Sequence, residues 1–248
     1  MDLAYSFARN LVAPGLAAGL CWTIEGVQHV AASGPLILAS NHSSYLDPLA
    51  LAWVADARKR RVRFLAKEQL FAKPGLGQLL NAMHQIPVAR GKRDAADALD
   101  AAVAALNDGE CIAVFPEGTI SMDLEPMVGK SGTARLAQAS GVAVTPVGMW
   151  GAHRVMYKGR RPNPEPFVAQ VAVVGAPISI APDEPVKVAT DRIMQAICEC
   201  VQRARAIYPQ RPRNGDEWWW REPETAVLRS CLDAPEAAPA VAHDGDPT

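Results

Sequence analysis

A histidine followed five residues later by an aspartate, in Asn41-His42-Ser43-Ser44-Tyr45-Leu46-Asp47, is the arrangement in this chain best suited to moving a proton. Imidazole titrates near neutrality, and a nearby carboxylate can hold its tautomer and stabilise its cation. Along one continuous helix a five-residue spacing would turn the two side chains about 140° apart. They can meet only if His42 sits on a strand-to-helix turn and Asp47 opens the helix. The Asp47-Pro48 pair fits, since Asp suits a helix N-cap and Pro the first helical position. On these residues alone a second reading stands beside the first: Asp47 merely caps the helix and His42 is an ordinary turn residue.

Two further blocks carry chemically useful groups. Phe115-Pro116-Glu117-Gly118-Thr119-Ile120-Ser121 follows the apolar run Cys111-Ile112-Ala113-Val114. A carboxylate, a glycine and a hydroxyl at a strand's carboxyl end face the crevice where open α/β sheets bind ligands. The plainer alternative is a helix-start loop capped by Thr119 or Ser121. Ile86-Pro87-Val88-Ala89-Arg90-Gly91-Lys92-Arg93 ends a strand-like run in three cations. Arginine there offers planar, bidentate recognition of a phosphate, although a solvated basic turn would look the same.

The elements that must position these blocks alternate along the chain. Strand-like runs occur at Leu36 to Ser40, Val62 to Ala66, Gln85 to Val88, Cys111 to Phe115, Val142 to Val147 and Val168 to Val174. Helical segments lie between or after them: Pro48 to Ala57, Lys67 to Met83, Arg93 to Leu106, Ser131 to Ala139 and Lys187 to Ile207. Short apolar runs alternating with helices predict a single α/β domain whose largely parallel or mixed sheet has helices on both faces. His42 then follows one buried strand and Glu117 another.

The 248 residues are enough for one such domain. Apolar residues make up 49% of them, and this excess can leave apolar surface for a lipid or membrane. A net charge of −1 argues against nucleic acid as a partner. The cysteines (Cys21, Cys111, Cys198, Cys200, Cys231) show no paired framework and no zinc spacing, so a reduced cytosolic setting is expected. The stretch from residue 3 to 22 is mainly apolar but interrupted by Arg9, Asn10 and Pro14. We read it as a helix lying on a membrane surface, ahead of a packed N-terminal helix and of a membrane span.

In combination and in this order, the His-x4-Asp block, the arginine after Ile86-Pro87-Val88, the Phe-Pro-Glu-Gly-Thr block and Val144-Thr145-Pro146-Val147 give a strong resemblance. The sequence resembles the glycerolipid acyltransferase family, most nearly its bacterial 1-acylglycerol-3-phosphate acyltransferases. The likeness runs from about Glu25 to Ile180 and takes in Ala66-Lys67-Glu68-Gln69-Leu70-Phe71 and Lys130-Ser131-Gly132.

The resemblance implies a glycerol-3-phosphate acyltransferase-like fold and a fatty acyl transfer from a thioester to the sn-2 hydroxyl of lysophosphatidic acid, giving phosphatidic acid. His42 would be the general base, held by Asp47. Arg90 and the Glu117-Gly118 turn, with Thr119, would receive the phosphate-bearing acceptor, Glu117 taking the glycerol hydroxyl or positioning Arg90 because like charges repel, and Pro146 would belong to the acyl donor's site. No cofactor is implied: acyl-CoA or acyl carrier protein serves as co-substrate. The enzyme would work peripherally at the cytoplasmic face of the cell membrane. One position departs from the family, which usually has arginine where Ile120 stands; Lys130 could replace that cation. Ile120 therefore keeps open another lysophospholipid or glycerol 3-phosphate as acceptor. A thioesterase and a non-catalytic lipid-binding protein are the remaining alternatives.

The expected units are an N-terminal interfacial helix over 1–24, an acyltransferase domain over 25–208, and an extension over 209–248 with a disordered end. Three features outside the blocks also need an account. Arg58-Lys59-Arg60-Arg61-Val62-Arg63 is either a solvated face or a contact for anionic headgroups, coenzyme A phosphates or an acidic carrier. Trp218-Trp219-Trp220 is either a hydrophobic lock or an interfacial membrane contact. His153, after the Val142 to Val147 strand, could line the cleft, with a loop role the simpler reading.

Overall fold

The computed structural model describes residues 10, 14–15, 18–88, 92–163 and 165–221. Seven strands form one sheet: β1 (Leu20–Glu25), β2 (Leu36–Ser40), β3 (Val62–Lys67), β4 (Ile86–Val88), β5 (Cys111–Val114), β6 (Val144–Trp150) and β7 (Val168–Val174). Their order is β1-β7-β6-β2-β5-β3-β4. Every pairing is parallel except that of β6 with β7. The helices are α1 (Asp47–Asp56), α2 (Glu68–Phe71), α3 (Leu76–Ala82), α4 (Lys92–Asn107), α5 (Gly132–Ser140) and α6 (Val186–Ala206).

The central strands are apolar because both of their faces are covered. Leu36-Ile37-Leu38-Ala39-Ser40 is buried throughout, as is Cys111-Ile112-Ala113-Val114 beside it. Side chains alternate between the two layers, as the pleat requires. Ile37, Ala39 and Ile112 join a core with α4, α5 and α6. Leu36, Leu38 and Ala113 join a second core with Ala50, Leu51, Val54 and Ala55 of α1. Because β2, β5 and β6 run parallel, their carboxyl ends lie along one edge of the sheet.

Two elements differ from expectation. The end of the N-terminal apolar stretch, Leu20–Glu25, is a strand paired with β7; most of the preceding residues of the expected 1–24 helix lie outside the described residues. The helix expected over Lys67 to Met83 is two helices. Pro74 cannot continue the first, and Gly75 turns with φ +75° to start the second. A Cβ on Gly77 would stand 1.9 Å from the Phe71 carbonyl oxygen, so only glycine allows the two helices to approach this closely.

Three cations of the basic run at 58–63 bond to backbone carbonyls. Arg60 is buried, and its guanidinium donates to the carbonyls of Ala31, Gly34 and Gly109 at 2.9, 2.6 and 3.0 Å. Arg58 donates to Val30, and Arg63 to the His84 carbonyl and the Glu110 carboxylate. These cations fasten α1 and β3 to neighbouring turns. One expectation about the cysteines is also corrected: Cys198 on α6 is disulfide-bonded, while Cys21, Cys111 and Cys200 are free thiols. Burial pushes the Cys111 thiol up to about 12, so it is no nucleophile. No described helix is long and apolar enough to cross a membrane.

Candidate active site

The turn after β2 brings His42 and Asp47 into direct contact, Nδ1 to Oδ2 at 3.0 Å. Asp47 is fully buried, and the same Oδ2 accepts the backbone amides of Ser43 and Ser44 at 2.6 and 2.7 Å. Leu46, not Asp47, occupies the N-cap of α1, and the Asp47 carboxylate turns back onto the preceding loop. The capping role is therefore displaced by a role in holding the histidine. Pro48 stands in the first turn, as expected.

With Nδ1 committed to Asp47, Nε2 is the ring nitrogen that remains to take a proton. The imidazole lies on the Phe115 ring, with centroids 4.2 Å apart and planes 20° apart. Phe64 stacks in turn on Phe115. The side chain keeps 16% exposure, which leaves its outer edge open to a substrate.

The second block grips the first. The His42 amide donates to Glu117 Oε1 at 2.8 Å, and the His42 carbonyl accepts the Ser121 amide at 2.8 Å. Glu117 is buried, and burial pushes its carboxyl up to about 8 against the opposing pull of the His42 and Met127 amides. Its Oε2 has no hydrogen-bond partner. The block is a tight turn, closed by Gly118 N–H donating to Phe115 O, and not the start of a helix. Gly118 adopts φ +69°, and a Cβ there would stand 2.7 Å from Lys130 Nζ. Lys130 thus lies directly over the turn, tied by its own amide to the Pro116 carbonyl. Ile120 is buried, Gly118 is exposed, and Thr119 is half-exposed beside it.

The structure therefore gathers His42, Asp47, Glu117, Gly118, Thr119 and Lys130 around two adjacent turns. Pro146 is elsewhere: it is buried within β6, paired with Ala39, its carbonyl taken by the Gly175 amide under α6. Arg90 lies outside the described residues, although β4, which leads to it, forms as expected at the sheet edge. Two positioning residues went unnoticed in the sequence. Asn41 exchanges two hydrogen bonds with the Met149 backbone, locking the start of the turn to β6. Ser44 Oγ donates to the Met156 carbonyl at 2.6 Å, which fastens the turn to the loop after β6. Asn41 directly after a buried strand was the available signal; Ser44 gave none.

The comparisons with known proteins give the class to which this fold and site belong. The chain belongs to the acyltransferase family, whose model matches residues 21–150, more than half of its length. It is similar to the chloroplastic 1-acyl-sn-glycerol-3-phosphate acyltransferase LPAT1 of Arabidopsis thaliana, 32% identical over 138 residues, 55% of this chain and 38% of that one. It is also similar to an N-acylphosphatidylethanolamine synthase of the same plant, 33% identical over 171 residues, 63% of this chain and 59% of the other. The chain thus spans between about two fifths and three fifths of the length of these relatives. The fold is that of the 1-acyl-sn-glycerophosphate acyltransferase PlsC of Thermotoga maritima. Its crystal structure superposes with a TM-score of 0.59 at 24% identity, covering 78% of this chain and 75% of that one.

Proposed function

We propose that the chain transfers a fatty acyl group from a thioester to the sn-2 hydroxyl of lysophosphatidic acid, producing phosphatidic acid. The observation that carries this reading is the His42–Asp47 contact, with Nδ1 held and the outer edge of the ring open beside the Glu117–Gly118–Lys130 turn. His42 Nε2 removes the proton of the acceptor hydroxyl as that oxygen attacks the thioester carbonyl. The new ester C–O bond forms, the C–S bond breaks, and the imidazolium returns the proton to the departing thiolate. Asp47 stabilises the imidazolium in between. No covalent acyl-enzyme is needed, and Ser44 Oγ is committed to the Met156 carbonyl.

Lys130 supplies the cation for the acceptor phosphate, in place of the arginine that Ile120 replaces, and Arg90 adds a second. Glu117 is a positioning residue that fixes the His42 backbone. Its proton, retained to about 8, removes the repulsion a carboxylate would exert on that phosphate. The donor is acyl-CoA or acyl carrier protein, and the protein works peripherally on the cytoplasmic face of the membrane.

A second reading keeps the chemistry and changes the acceptor to another lysophospholipid or to glycerol 3-phosphate. Ile120 favours it, as does the similarity to a relative named N-acylphosphatidylethanolamine synthase. The test is thiol release across a panel of lyso-acceptors with acyl-CoA and acyl carrier protein. Release that requires lysophosphatidic acid supports the first reading, and release that requires another acceptor supports the second. Thiol and free fatty acid released equally with and without acceptor would contradict both and indicate a thioesterase.

A further inference from the structure

One cavity takes no part in the proposed reaction. A cavity of about 360 Å³ opens at the carboxyl end of β6, lined among others by His153, Arg154, Tyr157, Arg160, Arg161 and Trp218. Three arginines line it against one carboxylate, Asp216. Both oxygens of that carboxylate are already engaged by the indole N–H groups of Trp218 and Trp219. The volume is in the range of small-molecule sites.

The walls divide into fixed and available cations. Arg154 is buried, lies 4.0 Å over the Trp219 ring, and donates to Tyr208 and Gln210, so it is part of the frame. Arg160 is exposed and lies over the Trp218 ring at 4.1 Å, and Arg161 is exposed with no ion pair among the described residues. Trp218 and Tyr157 form an aromatic wall, their centroids 5.2 Å apart.

His153 points to a ligand. It is 1% exposed, and no hydrogen bond of normal geometry reaches either ring nitrogen, although the Trp219 backbone is close enough to favour its proton weakly. A buried imidazole left unsatisfied is costly unless something else supplies the partner. Burial and the charges of Arg205, Arg154 and Arg221 push its pKa down to about 3, so the ring is neutral and carries one N–H to donate. A bound anion would provide the acceptor for that N–H and offset the arginines.

We propose that this cavity binds a phosphate group of the acyl donor, with His153 donating to a phosphate oxygen and Arg160 and Arg161 neutralising the charge beside the Trp218–Tyr157 wall. The placement suits a substrate that must also reach His42. The loop carrying His153 is joined to the His42 turn by the Ser44–Met156 hydrogen bond, and β6 and β2 are neighbouring parallel strands. The proposal rests on the acyl-transfer reading for the identity of the ligand only. Lys130 and Arg90 already meet the acceptor phosphate in that reading, so the ligand assigned to the cavity is a phosphate of coenzyme A, whose adenine would meet the aromatic wall.

The test is calorimetric titration of the full chain with coenzyme A, 3′-dephospho-coenzyme A and glycerol 3-phosphate. Wild type is compared with Arg161→Gln and with the Arg160→Gln/Arg161→Gln double variant, whose altered side chains are exposed. Each lost charge-assisted contact is expected to weaken binding about tenfold. The ring resonances of His153 are expected to shift at saturation, with a pKa that rises. Weakening of coenzyme A binding supports the assignment to the donor, and weakening confined to glycerol 3-phosphate contradicts it. Absence of binding to wild type, equal binding to wild type and the double variant, or unmoved His153 resonances at saturation overturns the proposal. Such a result leaves the acyl-transfer reading intact, because that reading is judged by thiol release and not by these affinities.

Discussion

Glu117 Oε1 accepts the backbone amide of His42 at 2.8 Å, so a residue 75 positions away fixes where the base stands. Ser121 adds the complementary bond to the His42 carbonyl. The two turns at the ends of β2 and β5 are thereby one unit: the first carries the proton-transfer pair, and the second holds its backbone in register. This is the reason for a buried carboxyl in a site expected to receive an anion.

The protonation of Glu117 makes stability depend on pH. Its folded pKa is raised to about 8 from an ordinary 4.5 by burial, so between those values the folded chain holds a proton that the unfolded chain has lost. The stabilising contribution is full below the lower value, and it declines as pH rises through the upper one. Denaturant unfolding from about pH 5 to about pH 9 is expected to show this decline in wild type and a flatter profile in Glu117→Gln. Glu117→Gln keeps an oxygen for the His42 amide and retains most turnover. Glu117→Ala releases the turn and lowers kcat by about 10² fold. Equal turnover in the two variants would contradict the positioning role.

Lys130 Nζ lies where a Cβ on Gly118 would collide with it. Replacing this cation removes a contact to the acceptor phosphate without touching the base. Lys130→Gln is expected to raise KM for a phosphate-bearing acceptor about tenfold, with kcat little changed, and Lys130→Arg to restore it. Initial rates over a range of acceptor concentrations separate the two parameters. An unchanged KM in Lys130→Gln would place the phosphate elsewhere.

Arg60 illustrates the opposite case, a cation with a purely structural task. Its three carbonyl partners are left without a donor in Arg60→Ala, which is expected to lose about 3 kcal/mol of stability. Binding to anionic vesicles should be unaffected, because the guanidinium is buried. Denaturant titration and vesicle co-sedimentation check the two halves of this expectation.

Arg60 also shows where sequence reading ends. A run of five cations in six positions looks like a solvated or headgroup-binding face, and only tertiary contact reveals that three of them serve backbone carbonyls. The central strands were legible because burial on both sides forces nearly unbroken apolar runs, as in Leu36-Ile37-Leu38-Ala39-Ser40. β1 was not, because Leu20-Cys21-Trp22-Thr23-Ile24-Glu25 continues an apolar stretch and its partner β7 lies almost 150 residues away. Pro74-Gly75 is a local break signal inside an otherwise helical pattern, and it is where the chain divides into two helices. Within the site, the His42–Asp47 pair was legible from spacing and the Asp-Pro signal. The hold of Glu117 on the His42 amide was not, since nothing local marks which buried carboxylate meets which backbone group. The tryptophan triplet divided in the same way. Trp219 is locked in the core under Arg154, while Trp218 turns one side to the cavity.

The central claim is that His42 is the general base. The most direct measurement is thiol release from acyl-CoA in the presence of lysophosphatidic acid, comparing wild type with a His42→Ala protein shown to be folded by its unfolding transition. The account predicts turnover reduced by roughly 10² to 10⁴ fold. Near wild-type acyl transfer by the folded His42→Ala protein would contradict it.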